Sequence, residues 1–217
     1  DHGNGHVKAC SSDKFILLPS CYSRPEEFGV DMILPKKDLQ VFEFKSTSYP
    51  GETYYWGRDV NKAGKLIATY GGGGRDISKP YRLLSQFTMA LLLPDEEMNC
   101  DDVLIVTGCP SVNTGTELEA DIQQVFCGRH VVSVNGQTKI VNVKQVKILP
   151  QPLGTIFSLY FNDDGRVVNR QLEDSYVGII DIGSGTTDLD GVKALKRQWD
   201  DTATIQLGMF DAYKKIA

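Results

Sequence analysis

The stretch VGIIDIGSGTTDLD, Val177 to Asp190, constrains this chain more than any other. Val177 to Ile180 is short, aliphatic and bounded by turn residues, which predicts a buried strand. Asp181 follows, then Gly183, Ser184 and Gly185, and the strand resumes at Thr186-Thr187-Asp188-Leu189. Glycine accepts the positive φ that tight turns demand, and the amides of such a turn can converge on an anion. A carboxylate at its mouth cannot itself hold a phosphate. It can hold a hydrated Mg²⁺ that phosphates share, because Mg²⁺ keeps several waters and takes few protein ligands. An ordinary β-hairpin with glycine in its turn would carry the same local sequence.

The first residues repeat the pattern. Asp1-His2-Gly3-Asn4-Gly5-His6-Val7-Lys8 again reads Asp, one residue, Gly, one residue, Gly, then a strand. Two Asp-x-Gly-x-Gly hairpins about 180 residues apart predict half-sites facing one another across a cleft. Each would give one carboxylate and one turn of amides to a shared Mg–nucleotide, and Lys8 would add a point charge for the phosphates.

The pair resembles the two phosphate loops of the actin-like ATPase superfamily, which includes actin, bacterial filament proteins, sugar kinases and the large heat-shock chaperones. Within it the likeness is to ParM-type plasmid-segregation actins, and three further segments carry it in the expected order. Tyr54 to Val60 resembles a strand closing with an aromatic pair and Gly; Asp102 to Pro110 resembles a strand followed by Thr-Gly-Leu-Pro; Val146 to Gln151 resembles a strand ending in Pro-Glu or Pro-Gln. Cys109 departs from the larger apolar residue of that family.

The resemblance implies an α/β, ribonuclease-H-like actin-like ATPase domain with a small β-rich insertion, followed by the start of a second such domain. It implies ATP as ligand, with GTP possible, and Mg²⁺ held through water by Asp1 and Asp181. Gly3, Asn4, Gly5, Lys8, Gly183, Ser184, Gly185 and Thr186 would bind the nucleotide, and Gln151 and Asp181 would serve hydrolysis. A Gln151 amide can orient water but is a poor base, so slow turnover is expected; without the family match Gln151 reads as an exposed loop residue after Pro150. Filaments of the chain with itself, a DNA-bound adaptor and a bacterial cytoplasmic location follow from the same resemblance. The alternative is a non-polymerising kinase or chaperone-like ATPase of the superfamily.

Composition narrows the classes further. The 217 residues carry 41% hydrophobic and 24% charged residues and a net charge of −5, so no basic surface for direct nucleic-acid binding is expected. Five cysteines without C-x-x-C spacing predict reduced thiols. No apolar run approaches the roughly 18 residues of a membrane span, and no secretory signal is recognisable at the start. Asp1 should end a strand that the sequence lacks, and Met209 to Ala217 reads as an amphipathic helix in mid-course. A piece of a longer protein is expected.

Between the turns, Val7 to Leu18 predicts a hairpin around Ser11-Ser12-Asp13. Period-two alternation and prolines assign residues of about 20–77 to the β-rich insertion. Gly71 to Gly74 lacks the Lys-Ser/Thr ending of a P-loop and reads as a return linker. Ser78 should cap a helix carrying Leu83, Leu84, Phe87, Leu91 and Leu92, with Pro94 beyond its end. A buried strand at Val103 to Val106, a Thr116-capped helix to Phe126 and an Asn135-Gly136 hairpin follow. Thr155 to Phe161 should be helical. These elements place domain I at 1–160 and the start of domain II at 161–217, with the adenosine pocket in residues beyond.

Overall fold

A computed structural model of the protein describes residues 1–29, 39–69 and 78–216. The predicted Gly71 to Gly74 linker lies outside the described residues. The chain forms two compact units: Asp1–Ile105 with Asp121–Lys147, and Val106–Ala120 with Ile148–Ala217.

In the first unit, β1 (His6–Cys10) and β2 (Phe15–Pro19) form the expected antiparallel hairpin. Alternation turns Val7, Ile16 and Leu18 inward and leaves Phe15 and Leu17 outside. β3 (Cys21–Tyr22) precedes β4 (Val41–Ser46), β5 (Tyr54–Gly57) and β6 (Ile67–Ala68), which pairs with β3. Gly57 is demanded by packing, since a Cβ there would lie 2.3 Å from the Gln40 carbonyl oxygen. Helix α1 (Lys79–Leu92) starts as predicted: the Ser78 side chain accepts a bond from the Tyr81 amide, and Pro80 occupies the first turn. Lysines meet the carbonyls at and just beyond its end, with Lys14 Nζ donating to Leu93 O at 2.7 Å and Lys139 Nζ to Pro94 O at 2.8 Å.

The five-stranded sheet has the order β5-β4-β8-β9-β7, where β7 is Asn99–Cys109, β8 Gly128–Val134 and β9 Gln137–Pro150. β8 and β9 form the predicted hairpin, with Asn135 and Gly136 at φ of 49° and 84° as a type I′ turn requires. Ile140 N–H donates to Met98 O and Gln151 N–H to Cys109 O at one constant residue offset, so β9 and β7 run parallel. Helix α2 (Glu117–Phe126) and β8 supply the crossover. The Thr116 capping box forms only in part: Glu119 reaches back to the Gly115 amide at 2.8 Å, while the Thr116 hydroxyl donates to Asn113 O.

The core joins these pieces. Phe44 stacks on Phe87 at 4.3 Å, with Tyr22, Tyr54, Trp56, Leu83 and Leu84 buried around them. Each such side chain contributes about 1.5–3 kcal/mol by leaving water. The β-rich segment therefore shares one core with α1.

In the second unit, α3 (Leu153–Tyr160) accompanies β10 (Tyr176–Ile182), β11 (Thr187–Lys193), β12 (Lys196–Ile205) and α4 (Met209–Ile216). The expected strand pair is a three-stranded antiparallel meander, β10-β11-β12. Its core is Ile156, Ile179 and Val192. The expectation of a fully buried Val177 to Ile180 strand is corrected: Ile179 is buried, whereas Ile180 is 68% exposed. Alternate residues face opposite sides of a strand, and among the described residues only the Ile179 side meets α3. Val103 to Val106 differs from expectation in the same way, with Leu104 and Val106 exposed. No helix among the described residues is long and apolar enough to cross a membrane.

Candidate functional site

The two glycine turns share one backbone scheme. In the first, Gly3 N–H donates to His6 O at 3.1 Å, and Lys8 N–H to Asp1 O at 2.8 Å. In the second, Gly183 N–H donates to Thr186 O at 2.8 Å, and Asp181 pairs across the ladder with Asp188. Counting from each Asp, residue three closes on residue six and residue one faces residue eight. Gly3 and Gly183 do not use the left-handed backbone expected of them. A Cβ would lie 3.1 Å from His6 O in one turn and 3.0 Å from Thr186 O in the other, so a side chain would press on the carbonyl that closes each turn.

These bonds sort the amides. Those of Gly3 and Gly183 are spent inside their own turns, whereas the amides of Gly5, Ser184, Gly185 and Thr186 have no intramolecular acceptor among the described residues. The carboxylates also differ. Lys8 Nζ lies 3.2 Å from the Asp1 carboxylate. Asp181 stands cross-strand from a second carboxylate, Asp188, whose Oδ1 accepts a bond from the Thr204 hydroxyl at 2.5 Å. Among the described residues no cluster of three or more His, Cys, Asp or Glu forms a metal cage.

Gln151 begins the turn after β9. Its amide N–H donates to Cys109 O at 2.9 Å, and its Cα and Cβ would lie 3.3 Å from a Cβ on Gly108. The absent side chain of Gly108 thus lets the Thr-Gly-Cys-Pro and Pro-Gln segments touch. The Gln151 side-chain amide has no hydrogen-bond partner among the described residues, which leaves it available to a ligand or water.

Sequence reasoning missed what anchors the turns. The Ser20 hydroxyl donates to Gly3 O, and Ser20 N–H to Gly5 O at 3.0 Å. His2 is buried, stacked on Tyr81 at 4.2 Å with Nδ1 3.3 Å from Ser85 Oγ. In the second unit, Met209 N–H donates to Gly183 O at 3.0 Å and Phe210 N–H to Ser184 O at 2.8 Å. Further along the meander, Arg197 Nε bridges both oxygens of buried Asp190 at 3.0 Å and its guanidinium covers the Trp199 ring. Gly208, directly before an amphipathic helix, was the only sequence sign of the α4 contact.

Residues 1–154 match the family model of the actin-like proteins N-terminal domain. The chain belongs to the actin-like protein family. Its fold is similar to the crystal structure of the apo pSK41 ParM protein, with a TM-score of 0.81 and 30% identity, covering 99% of this chain and 67% of that one. A ParM filament structure from Clostridium botulinum (TM-score 0.73, 22% identity, 99% of this chain and 65% of that one) has the same fold. So does the archaeal actin homolog Ta0583, solved in complex with ADP (TM-score 0.69, 18% identity, 100% of this chain and 62% of that one). The actin-like chain thus spans about two thirds of the length of these relatives. No curated protein matches the sequence.

Proposed function

We propose that this chain is the major part of a ParM-like ATPase that binds a Mg-nucleotide with both Asp-x-Gly-x-Gly turns and forms nucleotide-dependent filaments that segregate plasmid DNA. The observation that carries the reading is the repeated backbone scheme, Gly3 to His6 and Gly183 to Thr186, with carboxylates at equivalent positions. Such turns suit phosphate, since they offer amides that nothing else among the described residues uses. In this reading the Gly5, Ser184, Gly185 and Thr186 amides donate to phosphate oxygens, Asn4 and Lys8 stand beside them, and Gly3 and Gly183 keep the turns tight.

The donor set suits Mg²⁺. Asp181 opposite Asp188 concentrates negative charge on one sheet face, a juxtaposition that favours a cation. Asp1 and Asp181 would hold the ion through water, where it would neutralise charge on the phosphates. Phosphoryl transfer is promoted by positioning and charge stabilisation rather than covalent chemistry. Gln151, with its backbone pinned and its amide unpartnered, would orient the attacking water. An amide does not accept the proton, so hydrolysis would be slow. ATP is the proposed nucleotide, GTP the variant. Domain I is assigned to 1–160, with the insertion at about 20–77, and the start of domain II to 161–217. Self-assembly, a DNA-bound adaptor and a bacterial cytoplasmic setting complete the proposal.

The test is high-speed sedimentation of the full-length protein with ATP–Mg²⁺, with ADP–Mg²⁺ and without nucleotide, alongside Gln151→Ala. Pelleting only with triphosphate is expected. The variant should still pellet but release phosphate roughly 10²-fold more slowly, the usual loss when a proton-transfer or water-orienting group is removed. Soluble protein under every condition, with rapid hydrolysis, would overturn the filament reading in favour of a kinase or chaperone-like ATPase.

A further inference from the structure

The second turn is held by the helix that follows the meander, and the contact is backbone to backbone. Gly208 packs so closely that a Cβ on it would lie 2.6 Å from Ser184 O and 2.7 Å from both N and C of Gly185. Beyond Gly208, the first two residues of α4 donate their amides to Gly183 O and Ser184 O at 3.0 and 2.8 Å. The junction is braced twice more. Asp211 Oδ2 accepts the Gly208 amide at 3.1 Å, and the Thr187 hydroxyl donates to Leu207 O at 2.8 Å.

A trans peptide is planar, so its C=O and the following N–H point in opposite directions. Tying the Gly183 and Ser184 carbonyls to α4 therefore turns the Ser184 and Gly185 amides away from α4. Those are two of the amides without an intramolecular acceptor. The helix N-terminus spends its own donors on the turn and is not itself the anion site.

We propose that Gly208 and Asp211 are positioning residues that orient the second turn toward the phosphates of a bound nucleotide. The inference rests on the nucleotide reading above. A side chain at position 208 must lift α4 from the turn, which frees the two carbonyls and lets both peptide planes rotate. The loss should fall on the phosphate-dependent part of affinity. A general structural role would weaken every ligand alike.

The experiment measures binding of Mg-ATP and of adenosine to the full-length protein and to Gly208→Ala, with circular dichroism to establish folding. The expected result is ATP binding weakened about ten-fold or more, as for loss of one charge-assisted hydrogen bond, with adenosine binding unchanged. If Gly208→Ala does not fold, Asp211→Ala decides in its place by the same pattern. Asp211→Asn, which keeps an acceptor oxygen, should recover most of the affinity. Unchanged ATP binding by a folded variant, or equal losses for ATP and adenosine, would overturn the positioning role and leave the nucleotide reading standing. Failure of the unmodified protein to bind Mg-ATP would overturn both.

Discussion

The two turns close with the same hydrogen bonds but differ in what holds them and in what opposes their carboxylates. The first is anchored largely through side chains, Ser20 on Gly3 O and His2 inserted against Tyr81 and Ser85 of α1, with one backbone bond from Ser20 N–H to Gly5 O. The second is anchored through backbone, by α4 amides on Gly183 O and Ser184 O. The first Asp has a lysine 3.2 Å away, whereas the second stands across from another carboxylate. Equivalent backbone geometry therefore produces one nearly neutral turn and one that is short of positive charge. In the proposed reading both turns meet phosphate, and the second, where two carboxylates face each other, depends more on the cation.

The largest expected effect tests that division directly. Asp181→Ala should lower Mg-dependent phosphate release by about 10²-fold, the scale of losing a main electrostatic group, and Asp1→Ala by roughly ten-fold. A phosphate-release assay over a Mg²⁺ titration distinguishes them, and equal losses would erase the asymmetry. Smaller is the effect of Ser20→Ala, which removes one hydroxyl bond to the first turn. It should cost about 1 kcal/mol of stability by thermal melting, and no loss would mean that His2 and the Ser20 backbone bond hold that turn without the hydroxyl. Smaller again is Asp188→Asn, which relieves the cross-strand charge pair while keeping an acceptor for Thr204. Without Mg²⁺ it should stabilise the protein by about 0.5 kcal/mol. Destabilisation would show that Asp188 is needed as a charged group.

Much of this was legible because it is written in side-chain pattern. Leu83, Leu84 and Phe87 sit at helical spacing between Ser78 and Pro94, and Asn135-Gly136 marks its own turn. Both glycine turns were visible as motifs. The strand β12 was not, because Lys196-Arg197-Gln198-Trp199-Asp200-Asp201 has no apolar alternation and joins the sheet through backbone bonds to β11. Burial of β7 and β10 was overstated for a related reason. An aliphatic run records the wish to be covered, and alternate residues must find their cover on opposite faces. Gly3 and Gly183 were found for the wrong reason, since they sit close against carbonyls rather than at positive φ, and the tighter approach of Gly208 to Ser184 O was not foreseen. Close backbone approach leaves no pattern in a single sequence.

The smallest expected effect is acid sensitivity confined to the first turn. His130 is buried against α1, with Nε2 2.8 Å from Phe126 O and Nδ1 3.4 Å from Gln86 Nε2. The neutral tautomer protonated at Nε2 satisfies both, donating to the carbonyl and accepting from the amide. Burial holds the imidazole below its usual pKa of 6.5, the Phe126 carbonyl opposing that shift in part. A histidine lowered in this way binds its proton more readily when unfolded. Its contribution to stability is therefore fully present above pH 6.5 and is lost as pH falls through the lowered folded value. Gln86 sits on α1 beside Ser85, which contacts His2, so loosening there should reach the first turn. Amide exchange, corrected for its intrinsic pH dependence, should rise on acidification at Gly3 and Lys8, whose amides close the first turn, while Gly183, Met209 and Phe210 stay protected in the second. His130→Gln should flatten the response. An unchanged pH slope in that variant would remove His130 from the coupling, and equal loosening of both turns would show that side-chain and backbone anchors respond to acid alike.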